Sequence, residues 1–109
     1  MTRIWARIGS PAGPVRTRHT IGLPPELTGG VDLRQDMPRA GVVLIEDDGN
    51  SAMCYRYAAD GGFGGDTWHE SIEDALAQLE FEYGSAVGDW RDVPPEITDA
   101  HTYVVEQLR

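Results

Sequence analysis

The sequence predicts an α+β fold: a mainly antiparallel sheet of three to five strands, a long amphipathic helix on one face, and a short C-terminal helix beside it. Three observations predict this fold. In residues 3–8 the aliphatic side chains of Ile4, Ala6 and Ile8 alternate with arginine and tryptophan, which is the two-residue period of a half-buried strand. Residues 42–58 hold two β-rich runs around an Asp-Gly turn. Residues 67–83 carry apolar side chains at helical spacing.

The 109 residues fit a single domain with two parts. The first part, 1–40, consists of strands joined by Pro/Gly loops. Its first predicted strand is 3–8, and a second is predicted at 15–23, where apolar and polar side chains alternate again. Pro24 and Pro25 end that strand, because proline cannot donate a hydrogen bond to a sheet. We interpret 24–40 as a loop with at most one helical turn.

The second part, 41–109, is a hairpin followed by two helices. Residues 42–45 are wholly apolar and β-branched or leucine, which indicates a strand covered on both faces. Asp-Gly at 48–49 predicts a tight hairpin turn, because such a turn needs a positive φ, which glycine adopts readily. The returning strand, 51–58, places alternate side chains on opposite faces: Met53, Tyr55 and Tyr57 on one, and Ala52, Cys54 and Arg56 on the other.

The helix 67–83 is predicted from its ends and its stripe. Thr67 followed by Glu70 resembles a capping box, and Gly84 suits a left-handed stop. The glycine-rich residues 60–65 then form a flexible connection from strand to helix. A last helix begins near Thr98 or Asp99. The apolar stripe of 67–83 is Trp68, Ile72, Ala75, Leu76, Leu79 and Tyr83, and that of the last helix is Ala100, Tyr103, Val104 and Leu108.

Composition excludes several classes of function. The formal net charge is −9, from nine basic and 18 acidic residues, which disfavours binding to nucleic acid or to an anionic membrane. No run approaches the 18 or so apolar residues of a membrane span. One cysteine excludes an internal disulfide. All nine basic residues are arginine, which is typical of a G+C-rich bacterial genome, and we expect a cytoplasmic bacterial protein.

The acidic side of the 67–83 helix is the most informative predicted surface. Residues 66–82 contain six acidic residues and no lysine or arginine. Concentrated negative charge steers a positive partner, and exposed aromatics supply the contacts that charge alone does not. We therefore expect a non-catalytic module that masks a basic surface of a partner protein. The residues expected to bind the partner are Glu70, Glu73, Asp74, Glu80 and Glu82, with Trp68 or Trp90 as the anchor.

No catalytic motif stands out, and we expect no catalytic residue, metal site or cofactor. The three histidines lack the spacing of a helix-borne metal site, and Cys54 lies within a strand, where free cysteine usually packs. A small enzyme or ligand-binding protein is the alternative, with a pocket between hairpin and helix. His69, Asp66, Tyr55 and Tyr57 would line it. A third interpretation is an accessory subunit or a homodimer without a ligand.

Four short motifs stand out: 65–69 (GDTWH), 73–75 (EDA), 82–84 (EYG) and the pair Trp90 and Pro94. They resemble those of a group of small uncharacterised bacterial proteins. The resemblance runs over about 41–105 and carries no catalytic residue with it. The hairpin, glycine loop and helix also resemble the sheet-and-helix unit of HicB-type antitoxins, without their DNA-binding tail. Size and acidity are similar to those of immunity proteins, which implies a toxin as the basic partner.

Overall fold

The computed structural model describes residues 1–9 and 39–108 in full, and the backbone of 20–21 and 35–36. The described residues form these elements: β1 (Thr2–Arg7), β2 (Thr20–Ile21), β3 (Gln35–Asp36), β4 (Ala40–Asp47), β5 (Ala52–Ala58), β6 (Phe63–His69), α1 (Ile72–Tyr83), β7 (Arg91–Asp92) and α2 (Ala100–Glu106). A single 3-10 turn, Gly84–Ala86, follows α1 directly.

Five strands form one antiparallel sheet in the order β6-β5-β4-β1-β7. The expected α+β class and antiparallel sheet are therefore confirmed. β1 lies between β4 and β7, so this N-terminal strand belongs to the same sheet as the β4–β5 hairpin. β2 pairs with β3 as a separate two-stranded ladder. The remainder of the predicted strand 15–23, and most of the predicted loop 24–40, lie outside the described residues.

The two helices cover opposite faces of the sheet, whereas the sequence led us to expect them side by side. α1 packs over one face, which includes Val43 and Ile45 of β4. α2 packs over the other, which includes Val42 and Leu44. The reason lies in β4 itself. Because its apolar side chains project to both faces, each face needs a covering layer.

The β4–β5 turn is formed as predicted. Gly49 takes a φ of 93°, a conformation that glycine adopts without strain. The Asp47 side chain accepts the Gly49 N–H at 2.9 Å, and Asp48 accepts the N–H groups of Asn50 and Ser51 at 2.8 and 2.9 Å. These backbone hydrogen bonds, that from Ser51 foremost, hold the pKa of Asp48 below its usual value. The turn therefore sets the hairpin register by local chemistry alone.

Two predictions are wrong here: the flexible connection at 60–65 and the start of the helix at Thr67. Instead of a flexible connection, residues 63–69 form β6, which pairs with β5. Thr67 lies inside that strand, so the expected capping box with Glu70 is wrong and α1 is 12 residues long, shorter than expected. The N-cap is Ser71, whose Oγ accepts the Asp74 N–H at 3.1 Å. The expected stop at Gly84 is confirmed by its φ of 55°.

Replacing Ser71 with alanine is expected to lower the free energy of unfolding by about 1 kcal/mol, because an orphan N–H at the start of α1 loses its acceptor. Urea denaturation measures the change. The matched control is Ser85→Ala, since Ser85 is exposed and caps nothing in the described structure. Equal losses in the two variants would contradict the assignment of Ser71 as the cap.

α2 begins where the sequence predicts, with Asp99 as its N-cap. The Asp99 carboxylate accepts both the Thr102 hydroxyl at 2.6 Å and the Thr102 N–H at 3.1 Å. These two bonds hold the pKa of Asp99 below its usual value. Ala100 and Val104 are buried against the sheet. A helix of this length has little stability alone, so its position depends on that packing.

Candidate functional site

The acidic surface predicted from the sequence is largely present. Residues 57–90 contain eight acidic residues and no arginine or lysine. Glu70, Glu73, Asp74 and Glu80 are all exposed. Within the described residues, Glu70, Glu73 and Glu80 form no ion pair with an arginine, and Asp74 contacts His69 at 3.2 Å. These four carboxylates, which we call the acidic α1 surface, are therefore exposed to solvent.

Glu82 does not belong to that surface. It is 2% exposed and lies on the inward side of α1, where its Oε2 meets Nη2 of Arg56 at 2.5 Å. Arg56 is completely buried on β5. The expectation that Glu82 steers a partner is therefore wrong, because a buried, paired carboxylate presents little field to solution. The sequence carried a signal for this burial, because Glu82 lies seven residues after Ala75, in the same helical stripe.

Arg56 begins a series of hydrogen bonds that reaches the protein surface. Its Nη1 donates to the Thr67 hydroxyl at 3.1 Å, and that hydroxyl lies 2.7 Å from Nε2 of His69. Nδ1 of His69 lies 3.2 Å from the Asp74 carboxylate. The geometry is satisfied when Thr67 donates to Nε2 and the Nδ1–H donates to Asp74. His69 therefore ties β6 to the first turn of α1 as a structural contact.

The exposed aromatic side chains lie on β6. Trp68 is 60% exposed and Phe63 is 46% exposed. Trp68 pairs across the sheet with Met53, and Phe63 pairs with Tyr57, so both project to the α2 face. α1 covers the opposite face of the sheet. The acidic α1 surface and Trp68 therefore lie on either side of the edge strand β6, close in sequence but on different faces of the sheet.

Trp90 is half-buried and packs against the core under α1. Together with Glu80 it lines a groove of about 510 Å³ at the C-terminal end of α1. Leu76, Leu79 and Val87 form the apolar part of the lining. The structure thus brings together Trp90 and Glu80, two of the residues that the sequence indicated for partner binding. We call this feature the Glu80–Trp90 groove.

The alternative pocket does not assemble from the residues expected for it. His69 lies on the α1 face, as its bonds to Thr67 and Asp74 show. Tyr55 and Tyr57 lie on the α2 face, where they pack with the core beneath α2. Asp66 pairs with Tyr55 and shares that face. The sheet therefore separates His69 from the other three side chains.

A second hydrogen-bonded series lies on the α2 face, and the sequence did not point to it. The Tyr57 hydroxyl is hydrogen-bonded to Nδ1 of His101, and Nε2 of His101 lies 2.7 Å from the Glu46 carboxylate. Tyr55 packs edge-on against His101. Burial, then Tyr55 and nearby carboxylates, raises the pKa of Tyr57, so its hydroxyl is protonated at neutral pH. The series fastens α2 to the β4–β5 hairpin.

Cys54 is buried, as expected for a packing residue. Burial raises the pKa of its thiol to about 12, so the reactive thiolate is essentially absent at neutral pH. The described residues contain no group of three or more His, Cys, Asp or Glu side chains placed to hold a metal ion. Within the same residues, no helix has the length and apolar character needed to cross a bilayer.

Comparisons with known proteins add no assignment. The chain matches no family model, no curated protein and no solved structure. Its resemblances to HicB-type antitoxins and to immunity proteins therefore stay predictions, and function has to be argued from the surface itself.

Proposed function

We propose that this protein is a non-catalytic binding module that masks a basic surface of a partner protein. One observation carries the proposal: Glu70, Glu73, Asp74 and Glu80 are exposed on one helix and its preceding turn, with no arginine among the described residues to neutralise the first two or the last. Carboxylates so arranged attract a positive surface and accelerate its encounter. An immunity-like or antitoxin-like role, with a toxin as the basic partner, is the specific form that we favour.

One carboxylate of this surface stands where stability alone would not place it. Glu80 lies at the negative end of the helix dipole, and α1 has no basic residue in its last turn to offset this. The cost is only about 0.3–1 kcal/mol, and a cation bound there would remove it. Glu73 and Asp74, by contrast, lie in the first turn of α1, where the dipole favours negative charge.

The proposal is tested by reversing charge on the acidic α1 surface. The double variant Glu70→Arg, Glu73→Arg is expected to lower the association rate constant with a basic partner about tenfold or more, because steering is lost. The partner is captured from a lysate of the source cells with the wild-type protein. The rate is then measured by surface plasmon resonance with the purified partner at two salt concentrations.

The matched control is Glu96→Arg, Glu106→Arg, since both residues are exposed and lie away from α1. It changes net charge by the same amount. Wild type and control should associate at similar rates, and both rates should fall with added salt. Equal rates for wild type and the Glu70/Glu73 variant would show that the proposal is wrong.

One observation favours the alternative of a ligand-binding protein or small enzyme. Glu46, which holds His101, also lines a cleft of about 750 Å³ beside β1. A small molecule in this cleft would contact a carboxylate backed by His101 and Tyr57, a donor–acceptor series suited to proton transfer. A compound that raises the melting temperature of the wild type but not of Glu46→Gln would support this alternative.

A further inference from the structure

The Glu80–Trp90 groove combines three features that each favour a cation. First, Glu80 is an exposed carboxylate on its wall, without an ion pair among the described residues. Second, the groove lies at the C-terminal end of α1, where the helix dipole places partial negative charge. Third, Trp90 contributes an indole ring, the aromatic group that binds cations best. Among the described residues that line the groove, none is basic.

These features leave the free protein with unfavourable electrostatics at this point. A cation is normally preferred at a helix C-terminus, yet α1 has none in its last turn. The other carboxylate of that turn, Glu82, is already neutralised by Arg56. The field of Glu80 and of the helix end is therefore open to a positive group that comes from outside the described chain.

The groove also has an apolar floor. Leu76 and Leu79 line it, and its volume of about 510 Å³ falls within the range of ligand sites. A bare metal ion would gain nothing from this floor. A cation carried on a short aliphatic stem would bury the stem against the leucines while its charged end stays at Glu80.

We propose that the Glu80–Trp90 groove binds an arginine side chain of the partner protein. A guanidinium is planar, so it stacks on the Trp90 ring and also forks onto the Glu80 carboxylate. The ammonium of lysine is a point charge and holds its hydration more strongly, so it matches this pair of groups less well. The identity of the ligand as a partner's residue rests on the function proposed above. The groove supplies the anchor, and Glu70 and Glu73 supply the steering.

Titration with Nα-acetyl-arginine methylamide tests the groove in the intact protein. Two-dimensional NMR should show a saturable shift of the Trp90 indole N–H. Glu80→Gln should weaken binding about tenfold or more, since a charge-assisted hydrogen bond is lost. The matched control is Glu96→Gln, which removes an exposed carboxylate that does not line the groove and should change affinity less than about twofold. Trp90→Leu, which keeps an apolar side chain without an aromatic face, should also weaken binding. Its titration is followed through the backbone N–H signals of the groove residues Gly84 and Gly88, because this variant has no indole at 90.

Weaker binding by Glu80→Gln can be distinguished from unfolding, because this variant should melt at the wild-type temperature or above it. That substitution removes a charge from the unfavourable end of α1. The inference is overturned if the arginine derivative produces no saturable shift in the wild type. Equal affinity for Glu80→Gln and wild type, or equal binding of the uncharged citrulline derivative, would overturn it too. Tighter binding of the lysine derivative would refute the assignment of arginine.

The two proposals fail separately. If the groove does not bind arginine but the Glu70/Glu73 variant still loses its partner, the proposed function stands without this anchor. If arginine binds in the groove while charge reversal at Glu70 and Glu73 changes nothing, the groove stands and the masking function is wrong.

Discussion

Replacing Glu82 with alanine is expected to destabilise the protein by about 3–5 kcal/mol, because it leaves the Arg56 guanidinium buried without its carboxylate. Arg56 is completely buried, and its Nε has no hydrogen-bond partner among the described residues. The hydrogen bond from Arg56 to the Thr67 hydroxyl cannot compensate for the lost carboxylate charge. The measurement is the free energy of unfolding from urea denaturation monitored by circular dichroism.

A double variant keeps this prediction testable if Glu82→Ala does not fold. Replacing both charges with apolar side chains of similar size, Arg56→Met with Glu82→Leu, should recover most of the loss, since no ion then remains buried. Glu80→Ala is the matched control, two residues away and exposed. A loss below about 1 kcal/mol for Glu82→Ala, similar to that of the control, would contradict the structural role of the pair.

Replacing Leu44 with alanine is expected to cost about 2–5 kcal/mol, the range for deleting a fully buried leucine. Leu44 lies in β4, the central strand of the five, and packs beneath α2 with Trp5 and Val104. The sheet cannot readily collapse around a cavity there, because β4 is held by strands on both edges. Urea denaturation again gives the change in stability.

Leu76→Ala provides the comparison for Leu44. Leu76 is only partly buried, at the edge of the core beneath α1, and so has less apolar surface to lose. We expect a clearly smaller loss than for Leu44. Similar losses in the two variants would mean that the α2 layer is packed more loosely than the structure shows.

The elements that could be predicted are those with strong local signals. The Asp48–Gly49 turn identified the β4–β5 hairpin, because few residues accept a positive φ. Asp99 marked the start of α2, since its carboxylate satisfies N–H groups within the next three residues. β1 showed its two-residue alternation directly. In each case the information lies within a few residues of sequence.

β6 was missed because its pattern is hidden by glycine. Gly64 and Gly65 carry no hydropathy signal, so the two-residue period is not visible across them. Trp68 also falls at helical spacing from Ile72, which drew the predicted helix too far toward the N-terminus. Thr67 and Ser71 are each followed by an acidic residue three positions later, so the capping pattern fits both as the N-cap of the helix.

The candidate site needed the three-dimensional structure for a different reason. The helical stripe gave a signal that Glu82 is buried and Glu80 is exposed, but no local pattern pairs the Glu82 carboxylate with Arg56, which lies 26 residues earlier. The link between Glu46 and His101 joins residues 55 positions apart, and no local pattern predicts it.

The place of β1 in the sheet has a consequence for how the chain folds. Ile4 pairs with Ile45 on one side and with Asp92 on the other, so β1 completes its pairing only when strands 41 and 88 residues later in the sequence have formed. The β4–β5–β6 meander closes only short loops, whereas docking β1 closes long ones at a higher entropic cost. During synthesis, the edge of β4 that pairs with β1 is therefore the last edge of this meander to be paired. Until then, its apolar run, 42–45, is an unpaired strand edge that is prone to aggregation.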